Sequence, residues 1–472
     1  MDTMMGSVPG PATGTGDSDS DNELYREVLY VSEELDNTLP VDQFKAAVLA
    51  LVHKMRITRW HYVAAEDAGA IKISRISGAL TNAVYCITPP KSKDSAASRR
   101  GPRRKSPPQL LLRVYGTNSG KIIDRASELA LLRRLARKNI GPRLLGIFGN
   151  GRFEQFLHAE TLTKTSIRDP DISMAIAKRM RELHDGVELE PQERAAGPSV
   201  WANFAKWSPD AAGVLARLDA LALPSSAAEP RTARDILHAD WASFVRAVGV
   251  YRAWLEAEQG GGAAVARKLV FAHNDAQYGN LLRVYVPTGS PLLHPANEHR
   301  QLVVIDFEYA NPNVRAYDIA NHFCEWMSDY HDPERPQDIH RDRYPTAEEQ
   351  GRFVDTYVAH AADSFDDIAR IEAETAGLLH DADVWRPAVH AGWLLWGVVS
   401  ATLPDPDAAD DAFVDVPDDE SLDKDEFDYL SYASQKAALF WGEMERLGLT
   451  ATPEWAAAAI DYEPAAATRV GG

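Results

Sequence analysis

The chain of 472 residues is long enough for two domains that each bury a core. Its make-up, 45% hydrophobic and 25% charged, is that of a soluble globular enzyme. A net charge of −19 argues against general attraction to nucleic acid. No apolar run reaches the roughly eighteen residues of a transmembrane helix, so no stable membrane insertion is expected. The N-terminus, rich in Gly, Ser, Pro and Asp, lacks the basic start and apolar core of a secretory signal. Two cysteines, Cys86 and Cys324, are too few for a disulfide framework and fit a reducing, cytoplasmic setting.

Residues 1–22 read as a disordered tail. From Glu23 to about Arg56 apolar residues recur at helical spacing (Leu24, Val28, Val31, Leu35, then Phe44, Val48, Leu51, Val52), and Pro40 divides two expected helices. Short β-type runs follow, Ile71 to Ile76 and Ala83 to Thr88, joined by Ser77-Gly78-Ala79-Leu80-Thr81-Asn82. Pro90 to Pro108 carries Arg99, Arg100, Arg103, Arg104 and Lys105 among Ser and Pro and reads as a solvated insertion in a hairpin. Leu110 to Tyr115 predicts a strand, and Arg125 to Lys138 an amphipathic helix ended by Gly141-Pro142. Leu144 to Phe148 and Arg152 to Leu157 predict a hairpin turning at Gly149-Asn150-Gly151.

From about Ile172 the pattern is mainly helical, with short strands only around 268–310. This β-rich then α-rich order predicts an α+β fold in two lobes, 23–157 and 158–450, with a loose tail at 451–472. Leu403 to Glu426 holds eleven acidic residues against one lysine and reads as a solvated loop.

The chemistry concentrates at His273-Asn274-Asp275-Ala276-Gln277-Tyr278-Gly279-Asn280, after the strand Lys268 to Ala272. Its H-x-D-x-x-x-x-N spacing is that of a kinase catalytic loop. Such a loop needs an Asp to accept the proton of an attacking hydroxyl, and an amide oxygen five residues on to hold a metal bridging phosphates. Farther on, Leu302-Val303-Val304-Ile305 runs as a buried strand into Asp306-Phe307-Glu308. Two carboxylates at a strand end suit magnesium, a hard cation that prefers oxygen ligands.

The HNDAQYGN loop together with IDFEYANPNVRAYDIANHFCEWMSDY resembles the choline and ethanolamine kinases, fungal choline kinases in particular, from about Trp60 to Leu447. The resemblance implies a protein-kinase-like fold and ATP with Mg²⁺ as phosphoryl donor. It implies choline or ethanolamine as acceptor, the product feeding phospholipid synthesis, and allows a homodimer through the small lobe. By the same resemblance Asp275 is the catalytic base, Asn280 and Asp306 hold metal, Glu308 completes the metal shell and Gln277 braces the loop. His273 is read as a structural member of that loop.

For the nucleotide, the resemblance points to the Ser77–Asn82 loop, to Arg113 with Glu128 as its partner, and to Gln155 on the adenine-contacting strand. A guanidinium holds phosphate oxygens at two points, which suits Arg113. For the alcohol it points to Tyr309, Glu325, Tyr330, Trp396, Tyr429 and Tyr432, since a quaternary ammonium is recognised by ring faces and carboxylates. Trp393 and Trp326 are read as core. The chain departs from the family at Val399, where a second tryptophan is common, and in its longer acidic loop. Three readings stay open: choline kinase, ethanolamine or dual-specificity kinase, and a pseudokinase scaffold, which the intact Asp275, Asn280 and Asp306 disfavour.

Overall fold

The computed structural model describes residues 28–76, 82–91, 106–115, 131, 134–135, 140–221, 232–360, 368–403 and 427–449. Outside them lie the expected N- and C-terminal tails, the Ser77–Thr81 loop, most of the basic insertion and of the Arg125–Lys138 helix (Glu128 included), and nearly all of the acidic loop. The chain divides into two compact units, one ending at Phe156 and the next opening at Leu157.

The first unit is built on β1 (Lys72–Arg75), β2 (Asn82–Thr88), β3 (Leu110–Tyr115), β4 (Leu144–Phe148) and β5 (Gly151–Gln155), antiparallel in the order β1-β2-β3-β5-β4. Alternation along β3 sends Leu110, Leu112 and Val114 into the core and Arg113 to the opposite face. Helix α1 (Val41–Lys54) covers that core with Phe44, Val48, Leu51 and Val52. Trp60 is fully buried there, its indole N–H donating to the Pro108 carbonyl at 2.9 Å.

One expectation fails: residues 28–39 contain no helix. Tyr30 instead bridges Ile147 in parallel, with Val31 N–H donating to Ile147 O and Ile147 N–H to Leu29 O, each at 3.0 Å. Asn150 clamps the segment through both backbone groups of Leu35, at 2.8 and 2.9 Å. The outer edge of β4 carries unpaired amides, and satisfying them outweighs the local helical pattern.

The second unit is mainly helical. Its longer helices are α2 (Pro170–Gly186), α3 (Ser199–Leu221), α4 (Trp241–Glu258), α5 (Arg315–Glu325), α6 (Ala347–Ala359), α7 (Ile368–Ser400) and α8 (Tyr429–Arg446). Local chemistry sets several starts. Asp169 accepts from the Asp171 and Ile172 amides before Pro170, Thr346 and Glu349 form a capping box, and Asp428 accepts from the Ser431 amide. Among the helices lie two small sheets, β6 (Ala159–Thr161), β8 (Leu281–Val284) and β9 (Leu302–Val304) in the order β6-β8-β9, and β7 (Leu269–Ala272) paired with β10 (Asn311–Val314).

Helix α7 is the central post, packed by α3, α5, α6 and α8, and apolar nearly all round over Trp385–Val398. Pro387 inside it has no N–H to give the Asp383 carbonyl. Arg446 of α8 donates to that carbonyl at 3.3 Å and to the Asp383 carboxylate at 2.8 Å, while Tyr251 of α4 donates to the next carbonyl, Val384, at 2.7 Å. Tyr251→Phe leaves the buried Val384 carbonyl without that donor. A loss of about 1–2 kcal/mol in urea denaturation of the second unit is expected, with an intact far-UV spectrum.

Candidate active site

Strand β7 delivers the chain into the His273–Asn280 loop, and β10 pairs beside it, Ala272 opposite Asn311. What fixes the loop is Asp318, fully buried in α5. Its Oδ2 accepts from the His273 amide at 2.9 Å and its Oδ1 from the Asn274 amide at 2.7 Å. His184 of α2 donates to Oδ2 at 2.9 Å and is itself oriented by Tyr357 of α6 at 2.6 Å. Burial alone would raise the Asp318 carboxyl, but the hydrogen bond and charge of His184, the nearby His273 ring and its amide outweigh it and hold the group below its ordinary value.

The held loop is strained. Asn274 sits at φ 63°, a left-handed conformation that non-glycine residues seldom adopt. Its side-chain amide donates to the carbonyls of Tyr309 at 2.9 Å and Asn311 at 3.2 Å, its Oδ1 accepts from Asn313 at 3.1 Å, and its carbonyl accepts from Asn321 at 3.0 Å. His322 donates to the Ala276 carbonyl at 2.8 Å and accepts from the Trp326 indole at 3.2 Å. Burial pushes the His322 ring down to about 4, so it stays neutral in this role.

Within the loop, Asn280 turns its amide nitrogen to Asp275, donating to Oδ2 at 2.8 Å and to the backbone carbonyl at 2.9 Å. That orientation leaves the amide oxygen as the end available to a cation. Gln277 accepts from the Gly279 amide at 2.9 Å and so caps the turn Tyr278–Asn280. His273 accepts from the Asp275 amide on Nδ1 at 3.3 Å, and Nε2–H therefore donates to the Ile305 carbonyl at 2.9 Å. This ties the loop to the segment that ends in Asp306, itself at φ 63°. Burial first, then the charges of Glu325, Asp306 and Glu308, push the Asp275 carboxyl well above the ordinary range. The predicted base and both predicted metal carboxylates thus lie within one electrostatic neighbourhood.

The predicted alcohol residues also converge. The Trp396 indole donates to the Tyr309 hydroxyl at 2.8 Å, and Trp396 packs edge-on against Tyr429 at 5.5 Å and Tyr432 at 5.9 Å between ring centroids. Tyr330 donates to Glu325 Oε2 at 2.6 Å. Phe427, which the sequence reading passed over, joins Tyr330, Tyr429 and Tyr432 at 6.4, 4.9 and 5.5 Å. Trp393, read as core, is only half-buried and packs against both Tyr309 and Trp396, whereas Trp396 is 8% exposed. Trp326 is buried, as read.

In the first unit, Arg113 is buried on β3 and lies directly opposite Arg152 of β5. Arg152 is paired with Glu154 and donates to the Tyr115 hydroxyl at 3.0 Å. Gln155 ends β5, and its amide N–H already donates to the Arg143 carbonyl at 2.8 Å. Asn82 begins β2; Ser77, Gly78, Ala79, Leu80, Thr81 and Glu128 fall outside the described residues.

The sequence pattern described as choline/ethanolamine kinase matches residues 73–441, and that of the choline kinase N terminus matches 22–68. The chain is 34% identical to the choline kinase of Saccharomyces cerevisiae, over 94% of this chain and 83% of that protein. It is 35% identical to the choline kinase of Schizosaccharomyces pombe, over 88% and 92%. The chain belongs to the choline/ethanolamine kinase family. Its fold is shared with the choline kinase of Cryptosporidium parvum at a TM-score of 0.59 and 20% identity, covering 85% of this chain and 95% of that one. No helix among the described residues is long and apolar enough to cross a membrane.

Within this family frame, sequence reasoning missed the anchors Asp318, His184, Asn313 and Asn321. The available signal was polar residues in register with apolar ones: His184 falls at the helical spacing of Ile176, Ala177, Met180 and Leu183, and Asp318 and Asn321 lie among Ala316, Ile319, Ala320 and Phe323. A further group, Glu182, His299 and His360, comes close enough to suggest a metal, but Arg179, Arg300 and His299 already engage Glu182. Burial opposes ionisation there, yet His299 and the two arginines pull Glu182 down to about 2. It is an ion-pair clasp between α2 and the Glu298–Gln301 turn.

Because the folded Asp318 carboxyl is depressed, its stabilisation is present above the unfolded pKa near 3.9 and is lost as pH falls through the folded value. Asp318→Asn is therefore expected to be destabilised at pH 7 and to approach the wild-type melting temperature as both are taken from pH 5 towards pH 3. A gap independent of pH would contradict the ionised anchor.

Proposed function

We propose that the protein transfers the terminal phosphoryl group of ATP to the hydroxyl of choline, yielding phosphocholine for phosphatidylcholine synthesis. The observation that carries this reading is the placement of Asp275, clamped by Asn280 and crowded by Asp306 and Glu308, in the same unit as an aromatic wall with the Glu325 carboxylate. Asp275 orients the alcohol and takes its proton as the hydroxyl oxygen attacks phosphorus, and Asn280 keeps that carboxylate aimed. On the sheet of the first unit, Arg113 is the proposed phosphate ligand.

Asp306, Glu308 and the amide oxygen of Asn280 form a hard oxygen set that fits magnesium, and crowding among the carboxylates is what such a cation relieves. Bound there, magnesium neutralises charge on the transferring phosphate. The buried free thiols of Cys86 and Cys324 support a cytoplasmic setting.

Choline is preferred over ethanolamine because Tyr309, Trp396, Tyr429 and Tyr432 offer ring faces to a cation with no N–H to donate, each worth roughly 0.5–2 kcal/mol. Ethanolamine is the second reading. It draws on Glu325 and Tyr330, which could accept N–H bonds, and on Val399, where the family commonly has another ring.

ATP consumption with choline and with ethanolamine, compared as kcat/KM, tests the assignment directly. Turnover of neither alcohol would sink it, and a clear preference for ethanolamine would select the second reading. Asp275→Asn should lower kcat by about 10²–10⁴-fold with the fold intact. Trp396→Ala should raise KM for choline more than for ethanolamine, by about fivefold for about 1 kcal/mol of ring contact. Asp306→Ala should abolish turnover at ordinary magnesium, and a magnesium titration superimposable on wild type would refute its role as a ligand.

A further inference from the structure

Helix α8 buries a lysine. Lys436 is 0% exposed, and among the described residues its ammonium has no hydrogen-bond acceptor. Its Nζ stands 5.1 Å from the centroid of the Tyr432 ring, one helical turn back on α8. That ring is also packed by Trp396 and Phe427, so the lysine lies directly behind the aromatic wall. A buried ammonium is costly unless a negative group compensates it. Glu325 belongs to the same cluster: it accepts from the Tyr330 hydroxyl at 2.6 Å, and the Tyr330 ring packs on Phe427, which packs on Tyr432.

We propose that Lys436 is a positioning and specificity-determining residue of the alcohol site: sealed behind the Tyr432 ring, its ammonium is the counter-charge to Glu325, the carboxylate that attracts a cationic alcohol. The inference rests on the reading of Glu325 as counter-charge to the substrate. The arrangement resolves a conflict of signs, since a lysine facing a cation pocket directly would repel the substrate. Here the ring face takes up the lysine charge by cation–π attraction and stands as a spacer.

The surroundings bear on the charge state of the pair. Burial keeps the Glu325 carboxyl above its ordinary value, and Lys436 and the Tyr330 hydroxyl offset part of that rise. From the catalytic loop Asp275 faces Glu325, and from α8 so does Tyr432. On the lysine side stand Cys324 of α5 and His390 of α7, the latter pushed well below its ordinary value by burial and then by Lys436, Arg386 and Arg341. His390 is therefore neutral and adds no competing charge. Arg386 is taken up by Glu443 at 2.7 Å, which leaves Lys436 as the cation that acts on Glu325.

The test compares Lys436→Met, Lys436→Gln and Lys436→Arg with wild type and Glu325→Gln in the full-length enzyme. Steady-state assays with choline and with ATP are run across pH 5.5–9. Either neutral variant should raise KM for choline about tenfold, leave KM for ATP within about two-fold, and move the acid limb of kcat/KM for choline upward by about one pH unit. The upward sign follows because loss of a nearby positive charge makes Glu325 easier to protonate. Lys436→Arg should restore both quantities. A structural role alone would lower the melting temperature and harm both substrates without moving the acid limb, and that result overturns the proposal. So does Lys436→Arg behaving like Lys436→Met. If Glu325→Gln leaves the choline KM unchanged, the alcohol-site reading itself fails. If Glu325→Gln raises it and the neutral lysine variants do not, only the role of Lys436 falls.

Discussion

The buried carboxylate of Asp318 is the point on which the catalytic loop hangs. Two consecutive amides, His273 and Asn274, donate to it from the loop, and His184 donates from α2. A carboxylate taken out of water is tolerable only with such a set of donors, so its geometry is specified strongly. That specification passes along the loop. Asn274 is pinned in a left-handed conformation, which turns the chain so that Asp275, the next residue, comes to lie against Asn280. Strain of this kind costs roughly 1–3 kcal/mol per residue and persists only where surrounding bonds over-determine it. The carbonyls of Tyr309 and Asn311, with Asn313 and Asn321, supply that surplus.

The same anchoring links the parts of the site. His273 ties the loop to the Ile305 carbonyl just before Asp306, so the proposed base and the proposed metal ligand share one hydrogen-bonded frame. Asn321 binds the Asn274 carbonyl and also accepts from the Trp393 indole, which carries the frame across to the aromatic wall on α7. Helix α5 thus contributes Asp318, Asn321 and Glu325 on successive turns, one to the loop, one to the rings and one to the proposed substrate charge. Grouping Glu325, Asp306 and Glu308 around Asp275 is unfavourable in itself. The packed bundle about α7 supplies the stability that such crowding removes, a common division between scaffold and site.

The legibility of the chain varied with the kind of force involved. Alternating apolar strands and capped amphipathic helices read well, because their periodicity is local: the five strands of the first unit fall within a residue or two of expectation. Residues 28–39 misled because Val28, Val31 and Leu35 satisfy helical spacing, while the unpaired edge of β4 that claims them is more than a hundred residues away. Gln155 was placed on the right strand, but its amide is already committed to Arg143, a partner that spacing alone does not reveal. The resemblance pointed to Trp396 for the alcohol and Trp393 was read as core, yet packing against α8 leaves Trp396 the more buried of the two.

By itself the sequence determined the α+β order and the family, and it singled out Asp275, Asn280, Asp306 and Glu308 as the proposed reactive set, because those signals are carried by residue type and short spacing. The tertiary structure decided what holds them. Asp318, His184 and Asn321 act across separations of 44 to 134 residues, and a polar side chain in an apolar run does not announce which distant amide it will satisfy. The tertiary structure also decided that Lys436 and Phe427 stand at the aromatic wall, since burial against another helix is a property of the packed bundle and not of the strand or helix that bears the residue.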